Sequence, residues 1–599
     1  MIQYKNLFSK LLTVALTATM LTGCYDFVEL NEDPYNPGFS GSGDNEDPVD
    51  PQTPDTTGNK YADLNINYTL SEKAIKELKA GQKNVGPLFQ NLTYEGFYND
   101  YQVTTNLTHD IYAGYSANNK PDFSYSSPNY AYTDGWSAKR WEHFYNDRTL
   151  REYSVLLKTF KFVEPEKYKN AFYITRIYWA FLASVQADTY GDIPLSDYVQ
   201  AKEPKGAVKY NTQEEAYDIV FRMLEQAVDS IQPNTCEFKF GADEDLCYAG
   251  DEEKWLRFAN TLRLRLALRI SNVDPARAQA EGEAALSNQW GLMKGNEDNM
   301  RTIPRFAKTA AGDENAFAMC SFAYNGDAVM AKDLELAYKN LSNGGATYEV
   351  GKEEKIIDPR CVICWWRPTP MGALKKKKEN TKNDFTGCEI GSDEISHTES
   401  VAKYSVTRTD LTNTGLDPKH WFNYAQESVW LGYSESQFLL AEAALRNWAG
   451  ATRSAEDYFK AGIEASMNYY QISAEETESY ISGLKFYNDG TNPFAAGDKE
   501  GMLEQIITQK WLAVFPNGNE GWAEFRRTDY PRLRPILNNR SNGEVADGKF
   551  IKRINYPFSE SDNPNKPGLA VDNEGTRVWW DVDDTNNDAG ERNTPNNFR

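Results

Sequence analysis

Basic residues are in short supply. The 599 residues include 64 Lys and Arg against 87 Asp and Glu, a formal net charge of −23. A chain this acidic repels phosphate backbones, which argues against a nucleic-acid partner. Histidine is scarcer still: His109, His143, His397 and His420 are the whole set. None stands in a His-Glu-x-x-His motif and no two share a metal-ligand helix spacing, so no metal site is expected. A nucleophile elbow is missing too. Gly432-Tyr433-Ser434-Glu435-Ser436 lacks the final glycine of Gly-x-Ser-x-Gly. Nor is there a glycine-rich phosphate loop. Beyond the N-terminus no apolar run reaches spanning length, and the mean hydropathy of −0.66 is too polar for an integral membrane protein. These absences together argue against an enzyme and against any resident cofactor.

Aromatic side chains are plentiful. There are 14 Trp, 36 Tyr and 29 Phe, and 40% of the chain is hydrophobic, too much for a disordered protein. Trp and Tyr join an apolar body to a polar tip, so a surplus of them supplies both a core and ligand-facing rings. Length alone predicts about four domains of ~150 residues. A helical repeat breaks that expectation, because it grows in one dimension.

Residues 1–23 read as a leader. Lys5 and Lys10 make a basic start, Leu11 to Thr19 a short apolar stretch, and Leu21-Thr22-Gly23-Cys24 closes it. The apolar run falls short of the ~20 residues of a spanning helix. Small residues directly before a cysteine are the pattern of a bacterial lipoprotein leader, with cleavage before Cys24 and acylation of its thiol. Multiple acyl chains give stable anchoring. An ordinary secretory leader with an incidental cysteine is the alternative. Cleavage removes two lysines and no acid, so the mature chain is more negative still. Residues 24–59 form an acidic tether, with 38–59 made largely of Gly, Ser, Asp, Pro, Thr and Asn. Membrane attachment is therefore expected through the lipid alone.

The remainder, 60–599, reads as one helical domain. Trp255, Phe258, Ala259, Leu262, Leu266 and Ile270 recur at three- and four-residue steps, an amphipathic helix. Asp274-Pro275 supplies an N-cap and a first-turn proline for an Ala-rich helix to about Leu286. Further helices are predicted at roughly 71–80, 84–105, 137–160, 166–188, 212–231, 329–341, 428–448, 452–470, 473–483 and 499–515. Ala455, Phe459 and Gly462 follow the small–large–small spacing of the second helix of a tetratricopeptide repeat, and Leu439 and Ala443 fit its first helix. Irregular stretches separate the helices, above all 106–136 and 300–427. Long structureless stretches in a large domain are usually functional.

Several segments, in order, resemble the RagB/SusD family of surface nutrient-binding lipoproteins. They are Asp188-Thr189-Tyr190-Gly191-Asp192-Ile193-Pro194-Leu195, the run Trp255 to Arg265, the run Leu431 to Ala443, Gln505 to Ala513, and Gly521-Trp522-Ala523-Glu524-Phe525-Arg526-Arg527-Thr528. Asp358-Pro359-Arg360, Asn555-Tyr556-Pro557, Val578-Trp579-Trp580-Asp581 and Leu30-Asn31-Glu32-Asp33-Pro34 fit the same order. The residues themselves read as structural. Gly191 and Pro194 punctuate a turn. Trp511, Trp522 and Phe525 pack two helices together, and Arg526 and Arg527 bond carboxylates or helix-end carbonyls.

The resemblance implies a mostly α fold, with tetratricopeptide-like helix pairs forming a scaffold, long irregular loop insertions and little β. It implies a lipid anchor at Cys24 in the outer membrane, facing the exterior. The implied partners are a SusC-like TonB-dependent transporter and an oligosaccharide or peptide ligand, without catalysis.

Six cysteines follow Cys24: Cys236, Cys247, Cys320, Cys361, Cys364 and Cys388. Export permits disulfides, so free thiols and at least one bridge both stay open. Asp584, Asn586 and Asp588 alternate as in a calcium loop, but Gly590 falls one place late and no closing Glu follows, which favours a plain turn.

Sugars are held by aromatic faces with polar groups on their hydroxyls. The candidate ligand residues are therefore rings in the irregular stretches: Tyr125, Tyr130, Tyr132 and Trp136, then Tyr324 with Asn325, then Trp365 and Trp366. Adjacent Trp in a strand point to opposite faces, so at most one of the last pair reaches the surface. Two functions remain: nutrient capture for a transporter, or a lipid-anchored helical-repeat scaffold or adhesin that binds proteins.

Overall fold

Capped, tightly buried helices dominate the computed structural model. It describes residues 60–98, 100–118, 127–131, 134–145, 149–202, 204, 206–305, 314–323, 328–339, 358–369, 385–409, 421–484, 492–568, 577–582 and 596–598. The leader, Cys24 and the tether lie outside these residues, as do Asp584, Asn586 and Asp588.

The main helices are α1 (Glu72–Gly81), α2 (Val85–Tyr98), α3 (Thr149–Phe162), α4 (Pro165–Tyr190), α5 (Gln213–Ser230), α6 (Glu252–Arg269), α7 (Pro275–Ser287), α8 (Tyr433–Leu445), α9 (Ala455–Tyr469), α10 (Ala474–Ser482), α11 (Lys499–Val514) and α12 (Gly518–Thr528). Their starts follow capping chemistry. Thr212 and Glu215 form a reciprocal capping box before α5. Asp274 accepts the Arg277 N–H at 3.1 Å, with Pro275 at the first position of α7. α4 is apolar on nearly every side and runs through the core between α3 and α5, as an all-round buried helix must.

The pair α8–α9 packs as a tetratricopeptide repeat does. Gly462 lacks a side chain because a Cβ there would stand 2.7 Å from the Phe438 ring. Phe459 fills the adjoining space, 6.3 Å from Phe438 between centroids. The same device recurs at Gly282 of α7, where a Cβ would meet the Trp448 ring.

Charged residues close the centre. Arg265 of α6 holds Glu435 of α8 through two bonds of 2.7 and 2.6 Å. Lys510 of α11 and Arg269 of α6 both reach Glu520 of α12, at 2.7 and 2.6 Å. Arg527 bridges Glu442 and Glu524 at 2.7 Å each. Arg526 donates to the carbonyls of Asp188 and Lys552 at 2.7 and 2.9 Å. Both arginines therefore have the partner types expected for them. In the turn that ends α4, Gly191 takes φ +85, and Asp188 accepts the Trp580 indole N–H at 2.9 Å.

β structure is confined to short pieces. β1 (Ser116–Ala117), β3 (Val329–Met330), β5 (Val406–Thr407) and β4 (Trp365–Trp366) form an antiparallel sheet in the order β1-β3-β5-β4. β2 (Met300–Thr302) pairs with β6 (Ser428–Leu431). This corrects the helix expected at 428–448. Ser-Val-Trp-Leu is a strand, and Gly432 is the N-cap from which α8 starts. The segment 329–341 likewise opens as β3 before a helix at Lys332–Tyr338. The helix expected over 84–105 ends at Tyr98 and gives way to a π-turn at Gln102–Asn106. The one expected over 137–160 divides into Lys139–Tyr145 and α3.

All six cysteines after Cys24 are free. Burial pushes the Cys361 and Cys364 thiols up, the latter to about 12, so this Cys-x-x-Cys is inert core. No helix among the described residues is long and apolar enough to cross a membrane.

Candidate functional site

A cleft of about 730 Å³, open mouth included, lies where the end of α9 meets β6, the turn after α11 and the short helix Ala316–Ala323. Asparagines hold its walls. Asn299 Oδ1 accepts the Tyr433 N–H at 2.7 Å. Asn315 Nδ2 donates to Gln426 O and Ser428 Oγ at 2.7 and 2.9 Å. Asn517 Nδ2 donates to Trp430 O at 3.0 Å, and Tyr470 Oη to Phe515 O at 3.2 Å. These groups fix the walls in place.

Rings are left to meet a ligand. Trp421 and Tyr469 are half-buried, edge to face, with centroids 5.2 Å apart at 80°. Beneath them Phe317, Phe422 and Phe515 form an apolar floor, with Phe317 and Phe422 4.9 Å apart. Glu427 also lines the cleft, and its Oε2 pairs with Arg301 Nη1 at 2.7 Å. A half-buried aromatic pair near a carboxylate suits a ring with an apolar face and hydroxyls on its edge.

Those rings chosen from the sequence that fall among the described residues lie elsewhere. Trp365 is buried, 5.4 Å from Phe515, so it backs the cleft without facing it. Trp366 points to the opposite face, half-buried, with the Arg408 guanidinium 4.7 Å from its ring centroid. The strand alternation thus leaves one of the pair partly open. Tyr130 corrects the expectation for its stretch: it is buried, at φ 57, edge-on to Tyr112 at 5.9 Å. Trp136 is half-buried in the short helix Asp134–Ser137, away from the cleft. Tyr125, Tyr132, Tyr324 and Asn325 lie outside the described residues.

Trp421 and Tyr469 escaped the sequence reading. Trp421 falls inside the loop-rich 300–427 stretch, which was the available signal. Tyr469 closes α9, where helical spacing reads a ring as core.

The chain is similar to several solved structures. A chitin-binding SusD homologue from Flavobacterium johnsoniae is 28% identical over 84% of this chain and 98% of its own, with a TM-score of 0.66. A SusD homologue from Bacteroides vulgatus is 26% identical over 84% and 99%, at 0.67. One from Bacteroides uniformis is 26% identical over 83% and 99%, at 0.65. No curated protein matches. The family model described as starch-binding and associating with the outer membrane matches residues 76–557. That match spans most of the sequence, and the chain belongs to this SusD-like family.

Proposed function

We propose that this protein captures an oligosaccharide at the outer surface and passes it to a SusC-like TonB-dependent transporter. A lipid on Cys24 holds it in the outer membrane, facing outward. The observation that carries this reading is the Trp421–Tyr469 pair above its apolar floor. Family membership and the chitin-binding relative support a glycan ligand. The net negative charge favours neutral over anionic glycans. The role is binding alone, without catalysis or cofactor.

The test is electrophoresis in gels containing single soluble glycans, chitin oligosaccharides among them. Retardation is expected with one glycan and is lost in Trp421→Ala, whose melting temperature stays near that of the wild type. Co-purification with a large β-barrel protein would support the transporter partner. No retardation with any polysaccharide or peptide would overturn capture and favour a protein-binding scaffold or adhesin.

A further inference from the structure

One end of the aromatic cleft holds hydrogen-bond donors that the protein itself does not use. The 13-residue helix α8 starts there, with Gly432, Ser434 and Glu435 in the cleft lining. Gly432 is the N-cap, and no side chain caps the first turn in the usual way. Asn299 Oδ1 takes the Tyr433 N–H at 2.7 Å. Among the described residues, the N–H groups of Ser434 and Glu435 have no acceptor. A helix start left open in this way attracts an acceptor oxygen.

Two side chains point to the same need. Asn299 is 3% exposed, and its bond to Tyr433 fixes which end of the amide is the donor. Its Nδ2 has no acceptor among the described residues and is not sealed from the cleft that Asn299 lines. A buried amide donor without an acceptor is rare in a folded protein. Ser434 Oγ is likewise unpartnered and unsealed. A Cβ added at Gly432 would stand 3.6 Å from both Asn299 Oδ1 and Ser434 Oγ, and 3.4 Å from Val429 Cγ1. The four residues therefore surround one spot. Asn296 lies one 3-10 turn before Asn299, so the two side chains share a face. Its Nδ2 is spent on Ala465 O and Asn468 Oδ1 at 3.0 and 3.2 Å, which leaves its Oδ1 as an acceptor.

Charge decides what kind of oxygen fits. The cleft lining includes Glu427 and Glu435 and, among the described residues, no Lys, Arg or His. Both carboxylates are already paired, with Arg301 and Arg265. A ligand carboxylate would meet like charge with no cation in the lining to offset it, whereas a neutral carbonyl would not. We propose that the start of α8 and Asn299 form an acetamido-binding site. Asn299 Nδ2 and the free N–H groups donate to the carbonyl oxygen, Asn296 Oδ1 accepts the amide N–H, and the methyl lies on Val429. The ligand is then an N-acetylated sugar, its ring on Trp421 and Tyr469. This rests on glycan capture and adds the groups that select the sugar.

Calorimetric titration of the whole folded protein compares tri-N-acetylchitotriose with cellotriose, which carries a hydroxyl in place of each acetamido group. The N-acetylated sugar is expected to bind at least tenfold tighter. Asn299→Asp keeps the oxygen on the Tyr433 N–H and loses the donor, so it removes that preference and leaves cellotriose unchanged. Ser434→Ala weakens the N-acetylated sugar severalfold and serves as the second variant. Melting curves of both separate lost binding from lost folding. Equal affinity for the two trisaccharides overturns the proposal and leaves glycan capture standing, as does retardation by another glycan when neither trisaccharide binds. A full preference kept in the folded variants overturns it too. Binding of trialanine but of no sugar assigns the amide to a peptide and overturns both readings.

Discussion

Arg265 and Glu435 face each other fork to fork across 170 residues of chain, both almost without solvent contact. Removing Arg265 leaves Glu435 with Lys510 alone, 3.3 Å away. Arg265→Met is expected to cost ~3–5 kcal/mol, because an under-compensated buried ion is far worse than no ion pair. Denaturant unfolding of Arg265→Met and of the double variant with Glu435→Leu checks this. The double variant is expected to recover much of the loss.

Glu520 sets an acid limit. Burial alone would push its carboxyl up from 4.5, but Arg265, Arg269 and Lys510 outweigh burial and hold it at about 2. A depressed acid contributes stability above its unfolded value and loses it as pH falls through the folded value. Stability is therefore expected to drop between about pH 4.5 and 2. Glu520→Gln, weaker at neutral pH, should show a flatter profile in that window by denaturant titration.

Asp110 works in the opposite sense. Burial raises its carboxyl from 3.8 to about 7, against the lowering effect of Asn106, the Gly518 N–H and Arg140. A raised acid stabilises below its unfolded value, and that contribution fades as pH climbs to the folded value. From about pH 4 to 7 the wild type should lose stability relative to Asp110→Asn. Parallel unfolding curves across that range would refute it.

Gly462 tolerates little. With Phe438 2.7 Å from a new Cβ, Gly462→Ala is expected to destabilise by ~1–3 kcal/mol through overpacking. Trimming the ring in Gly462→Ala/Phe438→Leu should return part of that loss, read as a shift in melting temperature.

The tryptophan pair in β4 separates core from surface. Trp365→Ala empties a buried site and is expected to cost ~3–5 kcal/mol. Trp366→Ala loses the Arg408 contact and a partly open ring, and should cost less than half as much. Equal losses in calorimetry would contradict the alternation seen in the strand.

The scaffold was legible because its motifs carry demanding chemistry. Arg265, Glu435, Lys510, Glu524 and Arg527 all fall in segments that resembled the family, and each needs a partner that few other positions could supply. β6 was not legible: four apolar-leaning residues before a helix fit either period. The aromatic cleft was hidden for another reason. Trp421 and Tyr469 come from different elements, and their meeting depends on how α9 packs against β6 and the turn after α11. Individual rings in loops gave no measure of which ones the core would absorb, and Tyr130 and Trp365 were absorbed.

The central charge cluster also bears on the order of events during synthesis and export. Arg265 and Arg269 emerge long before Glu520, and no disulfide holds the early helices meanwhile. Contacts this distant in sequence slow folding, since a long loop must close before they form. A chain cut short before α12 leaves Arg269 and Lys510 without Glu520 and Glu524, so truncated products stay open to proteases and only a completed molecule becomes resistant.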